Sequence, residues 1–210
     1  MIRLLFIAVG YCFGCIQTSF FYGKKQGLDI REHGSGNAGS TNALRVMGKK
    51  AGIIVFIGDM GKLILAVLLM LLLFKSRGPE YVLLIKLYTG LGVVLGHDFP
   101  FYMDFKGGKG VASTAALIIL LDWRMAIVGL ALFFGIALLN GIVSLASCVT
   151  LTSELILFTV LVLTGKLACG IMPVWEALLV FAFIVALSLL RHTENIKRLF
   201  RGEEKPLKIK

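Results

Sequence analysis

Apolar residues run in blocks of about 11 to 24 along this chain, separated by short polar stretches. A helix needs roughly 20 apolar residues to cross the hydrocarbon core of a bilayer. Blocks of that length argue for transmembrane helices rather than for a buried soluble core. Composition agrees: 58% of the residues are hydrophobic and 16% are charged, with a mean hydropathy of +0.89. A soluble domain cannot bury that much apolar surface in 210 residues. The expected fold is an all-α integral membrane protein, one bundle over 1–210 with no soluble domain.

The expected spans lie at about 3–22, 51–74, 81–98, 111–121, 125–139, 148–166 and 172–190, followed by a charged tail, 191–210. The segment 111–121 is short for a crossing, so six spans compete with seven. D-W-R (122–124), N-G (140–141) and V-S-L-A-S (143–147) read as interruptions. Charge bias favours seven. One side then holds Lys24, Lys25, Arg31, Arg45, Lys49, Lys50, Lys106, Lys109 and seven tail cations, 15 of the 22 Lys and Arg. The other side holds Arg3, Lys75, Arg77, Lys86, Arg124 and Lys166. The richer side is expected to be cytoplasmic, with the N-terminus outside and the C-terminus inside. Arg3 before an apolar run resembles a signal peptide, but no A-x-A site follows, so a retained first span is expected.

The net charge of +10 follows from the same bias, so nucleic acid is not an expected partner. Cys12 and Cys15 form a C-x-x-C inside an apolar helix with no second ligand pair. They read, with Cys148 and Cys169, as buried thiols rather than a zinc or redox site.

Chemistry concentrates in the polar stretches. G-S-G-N-A-G-S-T-N (34–42) contains a literal G-x-G-x-x-G. A dinucleotide site needs a strand before those glycines and a βαβ unit around them. L-D-I-R-E-H (28–33) is too short and polar to supply one. No lysine follows in P-loop order either. What remains is a loop whose backbone amides can form an anion nest. Ser35, Asn37, Ser40, Thr41 and Asn42 add donors, and Arg45 can grip phosphate with both guanidinium arms. The second loop, 96–114, repeats this chemistry. Lys106 and Lys109 flank Gly107 and Gly108, and small residues then open a helix. His97 reads equally as a cap of the third span or as part of the site. Asp98 and Asp104 are isolated carboxylates, and no metal is expected. Ser144 and Ser147 lie one turn apart. R-H-T-E-N-I-K-R-L (191–199) opens an amphipathic helix with His192 and Asn195 on one face. Polybasic headgroup binding explains its other cations. Asp59 and Lys62, three apart inside the second span, read as an internal ion pair.

Taken in order, S-G-N-A-G-S-T-N…R, D-x-x-K, G-H-D-F-P…F-K-G-G-K-G-V-A, V-S-L-A-S and R-H-T-E-N-I-K-R-L resemble the PlsY family over nearly the whole chain. These are bacterial membrane acyl-phosphate:glycerol-3-phosphate acyltransferases. The chain departs from the family at 15–17, where Cys-Ile-Gln stands in place of the usual Ser-Ile-Pro. The resemblance implies attack of the sn-1 hydroxyl of glycerol 3-phosphate on an acyl phosphate. Lysophosphatidic acid and phosphate leave, in the first acylation of phospholipid synthesis. The H-x-x-x-x-D of soluble-type glycerolipid acyltransferases is absent: Ala38, Tyr102 and Lys197 stand five residues after the histidines.

The expected catalytic set is Ser35, Lys109, His192 and Asn195. Gly36, Asn37, Ser40, Thr41, Asn42, Arg45, His97, Lys106, Gly107, Gly108, Ser144 and Ser147 are expected to bind substrate or phosphate. Expected partners are acyl phosphate, glycerol 3-phosphate and membrane lipids, with no cofactor. The expected location is the bacterial cytoplasmic membrane. Oligomeric state and acyl-chain preference stay open. The rival class is a transporter or flippase for a phosphate-bearing molecule, which needs its polar loops to line a path across the bilayer.

Overall fold

The apolar blocks are helices. The computed structural model describes residues 1–204, 206 and 207, and among these there is no strand. In chain order the helices are α1 (Ile2–Gly14), α2 (Thr18–Lys25), α3 (Ser40–Met47), α4 (Lys49–Leu73) and α5 (Val82–Asp98). They continue as α6 (Val111–Leu121), α7 (Trp123–Asn140), α8 (Val143–Leu163), α9 (Val174–Arg191) and α10 (Thr193–Phe200). Six stretches are long and apolar enough to cross a membrane, with α1 and α2 together making the first. The 11-residue α6 is about 16 Å long, well short of the roughly 30 Å hydrocarbon layer.

Two expectations about the spans need correction. V-S-L-A-S does not interrupt a helix: Val143 opens α8, and Gly141, at φ 73, makes the turn just before it. The first span is not continuous. It breaks at Cys15–Gln17, with Gln17 extended at φ −92 and ψ 93. A break inside a span frees carbonyls that lipid cannot satisfy. Here distant side chains satisfy them. Lys62 Nζ donates to Gly14 O at 3.0 Å and to Ile16 O at 2.9 Å, and the Tyr102 hydroxyl donates to Cys15 O at 2.6 Å. Of the C-x-x-C thiols, Cys15 is buried and Cys12 is exposed, and both are free.

Around the most enclosed helix, α5, one apolar core draws on α1, α4 and α6 to α9. The α1–α5 crossing is made by glycines. A Cβ on Gly10 or Gly14 would strike the carbonyls of Thr89 or Val93, and one on Gly92 or Gly96 would strike those of Ile7 or Tyr11. Two small-xxx-small pairs thus bring the backbones together. Outward faces carry exposed Leu65, Leu72, Leu130, Phe134 and Leu138, as lipid-facing surfaces do.

The polar stretches collect at two ends. At one end Arg3 donates to Glu176 and Arg124 donates to Lys166 O. At the other, the loops 26–39 and 99–110 meet the start of α10. Helix α6 runs between them, from Gly110 to Asp122, and the Asp122 side chain accepts from Arg124 N at 2.8 Å.

Candidate active site

Where those two loops meet the tail there is a groove of about 710 Å³. Its walls include Arg31, Ser35, Gly36, Asn37, Lys106 and Lys109, closed by Arg191, Asn195 and Arg198. Residues more than 150 positions apart in sequence thus share one space.

The first loop is folded by Asn42. This buried side chain donates Nδ2 to Ile30 O at 3.2 Å and His33 O at 2.9 Å, and its Oδ1 accepts from Ser35 N at 2.8 Å. Gly36, at φ 71, donates its amide to His33 O, and Gly39 donates to Asn37 O. The amides of Ser35, Gly36 and Gly39 are therefore spent inside the loop. The side chains of Ser35 and Asn37 carry its share of the groove. Asn42 holds the loop rather than facing the groove. Ser40, Thr41 and Arg45 lie on α3 outside the groove lining, and Arg45 is exposed.

The second loop is gripped at Gly107–Gly108. Their amides donate to Asp98 O at 3.1 Å and His97 O at 3.0 Å. Arg191 donates Nε to Gly108 O at 3.0 Å and Nη2 to Gly107 O at 3.2 Å. Gly108 has no room for a side chain, because a Cβ would run into His97 Nε2. His97 is 3% exposed and lies beneath the turn, so it supports the loop and does not line the groove. Lys106 is exposed. Lys109 is largely buried and donates to Asn195 Oδ1. Burial pulls its ammonium down to about 8, against the opposing pull of Glu204.

The tail supplies the third wall. Asn195 donates Nδ2 to Glu204 Oε1 at 2.6 Å, which aims its Oδ1 at Lys109. Glu204 also accepts from Arg198 Nε at 2.6 Å and from Ser144 Oγ at 2.7 Å. Burial works to raise the Glu204 carboxyl, but those hydrogen bonds win and hold it below the ordinary carboxylate value. Ser147 is turned back onto its own helix, donating to Val143 O at 2.8 Å. His192 is 3% exposed and outside the lining. Its Nδ1 stands 2.7 Å from Ser188 O, so Nδ1 carries the hydrogen and Nε2 is left as the acceptor. Burial, and then the charge of Lys109, lower its pKa to about 4, so the ring is neutral.

Sequence reasoning missed Arg31, Arg191, Arg198 and Glu204. Arg191, Asn195 and Arg198 fall at i, i+4 and i+7, a shared face that the sequence did signal. The expected Asp59–Lys62 pair is present at 3.2 Å, but the contacts of Lys62 and Tyr102 with the break and of Glu204 with Ser144 have no local signal.

The comparisons with known proteins bear on this arrangement. The model of the family described as glycerol-3-phosphate acyltransferase matches residues 4–202. The chain belongs to this family. A glycerol-3-phosphate acyltransferase 1 of Oceanobacillus iheyensis is 34% identical, covering 95% of this chain and 92% of its own length. A glycerol-3-phosphate acyltransferase of Alkaliphilus metalliredigens is 38% identical over 99% and 97%. The crystal structure of PlsY, an integral membrane glycerol 3-phosphate acyltransferase in its glycerol 3-phosphate form, superposes with a TM-score of 0.82 at 33% identity, covering 99% of this chain and 96% of that one. Its lysophosphatidic acid form gives 0.79. The chain is thus a multi-pass bacterial membrane protein of the PlsY family and an acyltransferase acting on glycerol 3-phosphate.

Proposed function

We propose that the acyl donor is an acyl phosphate and that the sn-1 hydroxyl of glycerol 3-phosphate attacks it in this groove. The observation that carries the reading is Lys109. It is a largely buried ammonium with no carboxylate within ion-pair distance among the described residues, held toward the groove by Asn195. Such a charge is available to an anion. The side chains of Ser35, Asn37 and Lys106 add donors for the two phosphates. Arg45, Thr41 and Ser40 act from α3 on the outer edge of the first loop.

In the proposed step the sn-1 oxygen bonds to the acyl carbonyl carbon and the carbon–oxygen bond to phosphate breaks. Phosphate leaves with its electron pair, and lysophosphatidic acid remains. Phosphate is a good leaving group, so charge stabilisation by Lys109 and positioning carry much of the rate. The hydroxyl proton needs an acceptor. His192, near 4, is a weak base at neutral pH. A phosphate monoester, with a second pKa of about 6, takes the proton better. His192 is left a positioning role at the α9–α10 junction, since its ring is buried outside the groove lining.

The groove end is proposed to be cytoplasmic, with seven crossings and α6 as the short one. That fits the positive charge collected there and α6 running between the two ends. The transport reading suffers from the same placement. Both glycine loops and the tail lie at one end and line no path through the bundle.

The test is purified protein with labelled glycerol 3-phosphate and either palmitoyl phosphate or palmitoyl-CoA. Lysophosphatidate from the phosphate donor alone is expected. Product from the CoA donor alone overturns the donor reading. No product from either, with folded protein, returns the question to transport.

A further inference from the structure

The break in the first span and the glycine turn meet at one residue, His97. Its backbone carbonyl accepts from the Gly108 amide at 3.0 Å and from Gln17 Nε2 at 2.8 Å. Its ring Nδ1 lies 2.8 Å from Lys62 Nζ, and its Nε2 occupies the space that a Cβ on Gly108 would need. An ammonium can only donate, so Nδ1 is the acceptor and the ring orientation is set. Lys62 is itself fixed by the two freed carbonyls of the break and by Asp59 Oδ1 at 3.2 Å. Asp59 is held in turn by Thr18 Oγ1 at 3.5 Å.

Gln17 is fully buried, and three carbonyls surround its amide nitrogen: His97 O, Gly14 O at 3.4 Å and Gly96 O at 3.5 Å. Its Oε1 has no partner among the described residues. What Gln17 contributes is therefore its donor. Nothing else in the groove chemistry uses Gln17 or Lys62, and neither lines the groove.

We infer that Gln17 and Lys62 are positioning residues: they clamp His97 by carbonyl and ring, and His97 sets the Gly107–Gly108 turn that presents Lys109. Arg191 grips the same turn from the tail side. The turn is held from both faces, and Lys109, the next residue, inherits its place. This rests on the proposed role of Lys109 in turnover.

Gln17→Met keeps the side-chain length and removes the donor, and Lys62→Met removes the ammonium. Each is compared with wild type and Lys109→Ala for kcat, for KM toward glycerol 3-phosphate, and for amide hydrogen exchange of residues 99–110. Expected for both is a fall in kcat of about tenfold, KM within about twofold, and faster exchange confined to that stretch. A structural role alone speeds exchange across the spans. Unchanged exchange at 99–110 overturns the clamp, whatever the rate. Faster exchange with unchanged kcat overturns it if Lys109→Ala is inactive. If Lys109→Ala is also fully active, the Lys109 reading is what fails, and the exchange result still decides the clamp. Should Lys62→Met not fold, Gln17→Met carries the test alone.

Discussion

The two ends of this bundle both hold arginines and lysines, but they use them differently. At the end away from the groove, Arg3 makes two bonds to Glu176, at 2.5 and 2.9 Å, and the Tyr88 hydroxyl adds a third at 2.7 Å. Arg124 is likewise held by Asp122 at 2.8 Å. At the groove end, Lys109 rests on an amide oxygen and Arg191 on two glycine carbonyls. A cation matched by a carboxylate is a tie between elements. A cation held only by neutral acceptors is fixed in place and keeps its charge for something else. The division is not absolute: at the groove end Arg31 pairs with Asp29 at 2.7 Å and Arg198 with Glu204 at 2.6 Å, and toward the far end Lys86 donates to the Leu120 carbonyl.

If that contrast is right, Lys109→Ala removes a charge that works on the substrate. Turnover should fall by about 100- to 1,000-fold, while the unfolding midpoint stays within a few degrees. Near-normal turnover in a folded protein breaks the comparison at its centre.

Gly108→Ala leaves every charge in place but drives a methyl into His97. The turn must shift, and a displacement of about 1 Å costs on the order of 100-fold in rate. Retained activity would mean that the turn's position does not matter.

A smaller effect follows from pH. Lys109 titrates at about 8 and is charged below that value. Between pH 7 and 10 the rate at limiting substrate should fall by up to about tenfold per pH unit once pH passes 8. Lys109→Arg should flatten that fall, because arginine stays protonated. An unchanged profile in the arginine variant assigns the titration elsewhere.

At the far end, Arg3→Met should lower stability by about 1 kcal/mol and leave kcat and KM untouched. A kinetic effect there would erase the distinction between the ends. The smallest expected effect is at Lys197. Its pair with Glu194 is exposed, with side chains 56% and 71% accessible, so Lys197→Ala should change neither activity nor melting measurably.

Much of this was legible in the sequence, and the exceptions are instructive. The bundle could be read because a hydrophobic run of a given length has one stable form in lipid, a helix with its backbone bonds closed internally. The two glycine loops could be read as the stretches that hold the polar chemistry because glycines, small donors and cations cluster within each, whereas the expected amide nest of the first is used up within the loop. The break at Cys15–Gln17 was missed because the polar run Gln17-Thr18-Ser19 is short and apolar residues resume at Phe20 to Tyr22. Only Lys62 and Tyr102, brought from α4 and the second loop, make it tolerable. Asn42 was read as a phosphate donor, and His97 equally as a cap or as part of the site, yet each is turned inward to hold its loop.

By itself, then, the sequence determined that the chain is a helical membrane protein, that it resembles the PlsY family, and which stretches hold its polar chemistry. These follow from length, local composition and motif order. Only the tertiary structure decided which polar side chains face the groove and which are consumed in building it. That choice depends on helices packed from opposite ends of the chain, since a donor is spent or spared according to the acceptors its neighbours bring. Asn42 is spent on Ile30 and His33, while Lys109 is spared by having no carboxylate within ion-pair distance among the described residues.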